Sequence, residues 1–201
     1  RVIAVDLPGH GRSAAPDDPA RYGMAAVAAD LEQLMTQLDA APAHWLGYSM
    51  GGRLALYLAV HHPALVGSLI LESASPGLTT AEQRAARRVQ DDALARRIEA
   101  EGIEQFVAYW EQIPLFDSQQ GLAAETRATL REQRLNNSVR GLAGSLRGMG
   151  TGAQPSLWEH LVGIDQPTLL LAGELDQKFI AINRQMAAAL PAAELHIVPD
   201  A

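Results

Sequence analysis

Ala43-His-Trp-Leu46, Gly47-Tyr-Ser49-Met-Gly51 and Gly52-Arg-Leu-Ala-Leu-Tyr-Leu-Ala-Val60 follow one another without a break. The first group reads as a short strand, and the third is apolar almost all round, the pattern of a buried helix. Between them lies a G-x-S-x-G run. Alone that run is common, but a preceding strand and a following helix are the context of a nucleophile elbow. So sharp a turn leaves little room for flanking side chains, so Gly47 and Gly51 are expected to be steric necessities. Ser49 is then lifted clear of the sheet at a helix N-terminus, with the Met50 amide facing the place where an oxyanion forms. The competing reading is a strand–helix turn whose small residues serve packing only.

Working outward, the same alternation recurs. Val2-Ile-Ala-Val5 reads as a buried strand and Asp6-Leu-Pro-Gly-His-Gly-Arg-Ser13 as a Pro/Gly loop. Met24, Val27, Ala28, Leu31, Leu34, Met35 and Leu38 recur at helical spacing, and Pro42 ends that segment. Leu69–Leu71, Thr168–Leu171 and Leu195–Val198 read as further strands, with a helix from about Ile180 to Leu190. Strand–helix alternation with short apolar strands predicts a mostly parallel, doubly wound α/β sheet covered on both faces. Residues 76–160 break the alternation, being helix-like and rich in Arg and Glu. They are expected to form a helical lid, inserted between core segments 1–75 and 161–201. Ligands in such sheets bind at the carboxyl ends of the strands.

Composition narrows the function classes. A chain of 201 residues that is 48% hydrophobic and 19% charged can build a core, which excludes a disordered protein. It has no cysteine, so disulfides, thiolate metal sites and cysteine nucleophiles drop out. No run of 18 apolar residues is present, so no membrane-spanning helix is expected. A net charge of −7 without a basic run argues against nucleic acid as partner. Residues 77–160 hold ten of the 16 basic and eleven of the 23 acidic residues, a balance of −1; the remainder carries −6. Fifteen of the sixteen cations are arginine, the side chain suited to two-point contact with carboxylates. Gly148-Met-Gly150-Thr-Gly152 lacks the Lys-Ser/Thr ending and preceding strand of a phosphate loop. It reads as a hinge.

An elbow serine needs a base and an acid to orient it, in the chain order Ser, Asp, His. Thr168-Leu-Leu-Leu-Ala-Gly173 is the strand the acid should follow, and Asp176 is the choice in its loop. Glu72, after the intermediate strand, is a minor alternative, and Asp200 is misplaced. No histidine fits well. His196 lies inside a strand, His61 and His62 end a helix, His44 begins a strand, and His10 precedes the serine. The expected histidine would come just after Ala201. Arg1 opens on a strand already in progress, and the chain stops at Val198-Pro-Asp-Ala201 just after another. It reads as truncated at both ends.

Asp6-Leu-Pro-Gly-His-Gly-Arg-Ser13, the Gly-Tyr-Ser-Met-Gly elbow and Gly173-Glu-Leu-Asp176 together resemble the α/β-hydrolase superfamily. Arg53 after the elbow, Pro76-Gly-Leu78 with Glu82-Gln-Arg-Ala85 and Arg87, Trp110-Glu-Gln-Ile-Pro-Leu-Phe116, and Arg134-Leu-Asn-Asn137 narrow the resemblance. They are similar to the 2-succinyl-6-hydroxy-2,4-cyclohexadiene-1-carboxylate synthases of menaquinone biosynthesis. The resemblance implies a cytoplasmic lyase that removes a ring proton and expels pyruvate, with no cofactor and no metal. It implies a small, carboxylate-rich substrate. It also assigns substrate binding to Tyr48, Arg53, Arg87, Trp110 and Arg134, and catalysis to Ser49, Asp176 and the Met50 oxyanion amide. An α/β-hydrolase cleaving a carboxylic ester or C–C bond is the alternative. The structural readings are solvated charges for Arg87 and Arg134 and a packed core residue for Trp110. By spacing alone, Arg53 follows Ser49 by four residues and shares its helix face.

Overall fold

Four parallel strands pair in the order β1-β2-β3-β4: Ala43–Tyr48, Val66–Glu72, Thr168–Gly173 and Ala193–Val198. The computed structural model describes all 201 residues. They divide into two compact units, one of Met24–Arg84 with Gln154–Ala201, the other of Arg1–Gly23 with Ala85–Ala153. The sequence reading drew these boundaries differently, at residues 76 and 160, with residues 1–23 in the core. No helix of the chain is long and apolar enough to cross a membrane.

The first unit contains the whole sheet. Its helices are α1 (Met24–Gln37), α2 (Met50–His61) and α6 (Gln177–Ala189). Helix α2 connects β1 to β2, and α6 connects β3 to β4. Leu69, Leu71, Leu170 and Ala172 are buried, on the face packed by α2 and α6. The alternate row Leu46, Ile70 and Leu169 lies in register across β1, β2 and β3, and Leu46 is 69% exposed.

The expected parallel α/β sheet flanked by helices therefore stands. A sheet that grows in one direction by right-handed crossovers places its connecting helices on one side.

The second unit has no strand. It contains α3 (Ala81–Trp110, from Ala85 onward), α4 (Ala124–Leu135) and α5 (Val139–Met149). Gly102 interrupts α3 with φ +79. Val2–Val5, expected as a buried strand, pair with nothing, and Val2 is 96% exposed. An apolar run signals burial, whereas a strand exists only where an edge accepts its hydrogen bonds.

The glycines of α5 serve close approach. A Cβ on Gly141 would lie 2.2 Å from the Gly9 carbonyl oxygen, and one on Gly148 would lie 2.5 Å from the Tyr22 backbone. The Gly148–Gly152 run, expected as a hinge, is closely packed and ends next to the boundary between the two units. Gly152 donates its N–H to Asp91 Oδ2 at 3.1 Å, and a Cβ there would lie 2.4 Å from the Arg88 nitrogen.

Candidate active site

Ser49 sits between β1 and α2 with φ 49 and ψ −107, a conformation that an L-residue adopts only under constraint. Two hydrogen bonds fix it. Its N–H donates to the Glu72 carbonyl at 2.8 Å, and its own carbonyl accepts from Arg53 N at 3.0 Å. The side chain is half-buried rather than fully exposed. Met50 opens α2, so its amide lies at the positive end of the helix dipole. Tyr48 ends β1 opposite Glu72 and is 57% exposed. For Glu72, the elbow uses the backbone carbonyl.

The elbow's glycines are not the pair expected from the motif. A Cβ on Gly47 would lie 2.4 Å from the Gly51 carbonyl carbon, so Gly47 is required. A Cβ on Gly51 would meet nothing within 4 Å. The second constrained position is Gly52, where a Cβ would lie 2.6 Å from Ala74 Cβ and 2.7 Å from the Gly47 oxygen. Helix α2 descends so close to β1 and to the loop after β2 that the contact falls one residue later than the motif places it. Gly52→Ala should therefore destabilise the protein by about 1–3 kcal/mol. Gly51→Ala, which stiffens a helix start without a clash, should leave thermal unfolding unchanged or slightly raised. Calorimetry on the two variants checks this, and equal losses would contradict it.

Asp176 lies after β3, whose strand is separated from β1 by β2 alone. Two strand spacings correspond to about 10 Å, a gap suited to an intervening imidazole rather than direct contact. Asp176 is half-buried and caps α6: Oδ1 accepts from Phe179 N at 3.1 Å. The loop is tied down from both sides, because Leu175 N donates to the Ala201 carbonyl at 2.8 Å and Asp200 N to Glu174 Oε2 at 3.1 Å.

None of the six histidines hydrogen-bonds Ser49 or Asp176. His44 Nδ1 pairs with Ser68 Oγ at 2.8 Å, and His62 Nδ1 with Glu32 at 3.2 Å. His61 packs on Tyr57 with ring centroids 4.2 Å apart and faces His160 edge-on. His196 is exposed on β4. His10 belongs to the other unit, where Nδ1 meets the Pro8 carbonyl at 3.3 Å and burial holds its pKa below the usual value.

Arg53 lies one turn beyond Ser49 on α2 and is half-buried. Its Nη1 donates to Gln154 Oε1 at 3.1 Å. Gln154 is fully buried, and its Nε2 donates to the Ser75 carbonyl at 3.1 Å. Sequence reasoning missed Gln154, since a lone glutamine beside a proline carries no motif.

The remaining arginines of interest belong to the helical unit. Arg87 Nε donates to Asp91 Oδ1 at 2.7 Å, and Asp91 is buried. Arg87 thus compensates a buried carboxylate that also anchors Gly152. Removing it would strand that charge at a cost of about 1–3 kcal/mol. Arg134 donates to Glu111 Oε1 at 3.2 Å and Gln119 Oε1 at 2.7 Å, and lies over the Phe116 ring at 4.9 Å. Trp110 stacks on Phe106 with centroids 5.4 Å apart and meets Phe116 edge-on at 5.7 Å. A cavity of roughly 220 Å³ opens beside Arg134, lined also by Glu111, Gln119, Arg127 and Arg131.

Comparison with known proteins shows the family. The alpha/beta hydrolase fold family matches residues 1–201. The chain is 48% identical over all 201 residues to a Bacillus subtilis protein provisionally named 2-succinyl-6-hydroxy-2,4-cyclohexadiene-1-carboxylate synthase, covering 73% of that relative. It is 38% identical over 199 residues to the synthase of that name from Klebsiella pneumoniae, covering 99% of this chain and 75% of the relative. A solved structure of MenH from S. aureus superposes with a TM-score of 0.92 at 39% identity, covering 97% of this chain and 73% of that one.

Proposed function

The chain belongs to the alpha/beta hydrolase fold family, and we propose that its activity is that of a 2-succinyl-6-hydroxy-2,4-cyclohexadiene-1-carboxylate synthase in menaquinone biosynthesis. The reaction is a lyase step. The C2 proton of 2-succinyl-5-enolpyruvyl-6-hydroxy-3-cyclohexene-1-carboxylate, next to the succinyl ketone, is removed; its electron pair forms the C2–C3 double bond while the C3–C4 double bond shifts to C4–C5. The C–O bond to the enolpyruvyl group breaks, and enolpyruvate tautomerises to pyruvate. The observation that carries the reading is the pairing of a strained elbow serine with an arginine one turn along the same helix. A neutral ester has little use for that cation, whereas a tricarboxylate does.

In this reading Ser49 serves the proton abstraction, activated by a histidine that Asp176 orients. None of the chain's own histidines is assigned that part. Negative charge developing on the succinyl ketone oxygen is stabilised at the Met50 N–H, where the α2 dipole adds to the hydrogen bond. Arg53 holds a substrate carboxylate. Tyr48, Arg87, Trp110 and Arg134 enter as substrate-binding residues on the family resemblance. Arg87 keeps a side-chain exposure of 42% while engaging Asp91. We place the reaction in the cytoplasm, with a small carboxylate-rich substrate and no cofactor.

The test is pyruvate release from that substrate, followed by NADH oxidation with lactate dehydrogenase. One pyruvate should appear per substrate consumed. Hydrolysis of carboxylic esters without pyruvate from the cyclohexene would replace this reading with a hydrolase.

A further inference from the structure

Three carbonyls in a row, those of Ser75, Pro76 and Gly77, leave β2 and accept hydrogen bonds from one short segment. Gln154 Nε2 donates to Ser75 O at 3.1 Å, Leu157 N to Pro76 O at 2.7 Å, and Trp158 Nε1 to Gly77 O at 2.9 Å. Gly77 has φ +97, and a Cβ there would lie 2.9 Å from the Pro155 oxygen, so the two segments are locked at close approach. All these residues, like Ser49 and Arg53, belong to one compact unit.

The clamp leaves Gln154 with one further polar atom, Oε1, and that atom accepts from Arg53 Nη1 at 3.1 Å. Gln154 is fully buried. A buried amide with both ends satisfied cannot swing without losing two hydrogen bonds, so it is a rigid acceptor. The chemistry of the acceptor matters as much. Arg87 rests on Asp91, Arg134 on Glu111, and Arg147 on Asp92 and Glu99, all carboxylates. An amide oxygen orients a guanidinium without adding a negative charge to it.

We propose that Gln154 is the positioning residue that aims the Arg53 guanidinium toward the substrate carboxylate while adding no opposing charge. This rests on the synthase reading for the identity of the anion, though not for the coupling between the two side chains.

Two variants test it. Gln154→Met keeps the volume and removes the acceptor, and Gln154→Glu places a carboxylate against Arg53. Each should raise KM for the carboxylate substrate about tenfold, with kcat changed less than threefold. In an Arg53→Ala background the same changes should move KM less than twofold, because the residue acts through Arg53. Parallel loss of kcat and KM with a lowered unfolding temperature, or full additivity with Arg53→Ala, would make Gln154 a fold residue only and overturn the proposal.

Should Gln154→Glu fail to fold, Gln154→Met alone decides. Succinate binding by calorimetry separates this proposal from the synthase reading. If the wild type releases no pyruvate, yet binds succinate about tenfold more tightly than Gln154→Met, the synthase reading falls and the positioning role stands. Normal pyruvate release with unchanged KM in both variants sinks the positioning role alone. No pyruvate release and no succinate binding by the wild type sinks both.

Discussion

Replacing Ser49 by glycine should give a protein that unfolds at a higher temperature and releases no pyruvate. The two effects have one origin. At φ 49 and ψ −107 the serine backbone is held where a side chain is disfavoured, a strain of about 1–3 kcal/mol. Glycine adopts that conformation freely and gives back part of the gain as entropy. The net change for a chain of this size is a rise of a few degrees. The hydrogen bonds from Ser49 N to Glu72 O and from Arg53 N to Ser49 O are backbone contacts and survive the substitution. Ser49→Ala is the companion variant: it keeps the strain, should unfold near the wild-type temperature, and should lose turnover by about 10³-fold or more. Scanning calorimetry and the pyruvate assay on both variants check the pair. Near-normal turnover by Ser49→Ala would remove Ser49 from the chemistry altogether. An unfolding temperature for Ser49→Gly below that of Ser49→Ala would show that the elbow is not strained.

The strained elbow is also where sequence and structure meet most closely. The motif, the strand before it and the helix after it could be read from residues 43–60, because each depends on neighbours along the chain. Helix α1, strands β2 to β4 and helix α6 were legible for the same reason, since periodicity is a local property. What failed depended on partners far away in sequence. Gly52, rather than Gly51, is constrained because Ala74 arrives from the loop after β2, and no local pattern encodes that arrival. Nor does any local pattern in Gly148–Gly152 announce that a Cβ on Gly148 or Gly152 would run into the Tyr22 or Arg88 backbone. Val2–Val5 had the composition of a strand without an edge to pair with.

Among the candidate site residues, position and chemistry separated in a similar way. Ser49, Met50, Arg53 and Asp176 fall in one unit, on the carboxyl ends of β1 and β3 or the first turn of α2. Arg87 and Arg134 could be picked out by family pattern. Their carboxylate partners, Asp91 and Glu111, were not anticipated, because an ion pair four or twenty-three residues apart looks no different in sequence from a solvated charge. Asp176 shows the opposite case. Its choice as the acid followed from strand order alone, and the structure adds a second duty as the N-cap of α6. Removing its carboxylate would therefore disturb the helix start and, under the proposed mechanism, the orientation of a base as well.

Arg53 offers the sharpest separation between the proposed lyase and a hydrolase. Arg53→Ala should raise KM for the tricarboxylate about 10- to 150-fold, the worth of a charge-assisted hydrogen bond of roughly 1.5–3 kcal/mol. Turnover of a small neutral ester, if measurable, should change less than twofold, because no carboxylate is there to be held. Arg53→Lys should recover only part of the affinity. Lysine restores the charge, but a point charge cannot reach Gln154 Oε1 and a substrate carboxylate with one rigid fork. Raising the salt concentration should weaken the wild type's advantage over Arg53→Ala, since screening acts on the charge and not on the fold. Steady-state kinetics on both substrates at low and high salt decide the matter. Equal losses on the two substrates, insensitive to salt, would make Arg53 a support for α2 and turn the site toward ester hydrolysis. Here the geometry favours the first outcome, because the guanidinium is steered by a buried amide that is itself fixed to the loop after β2.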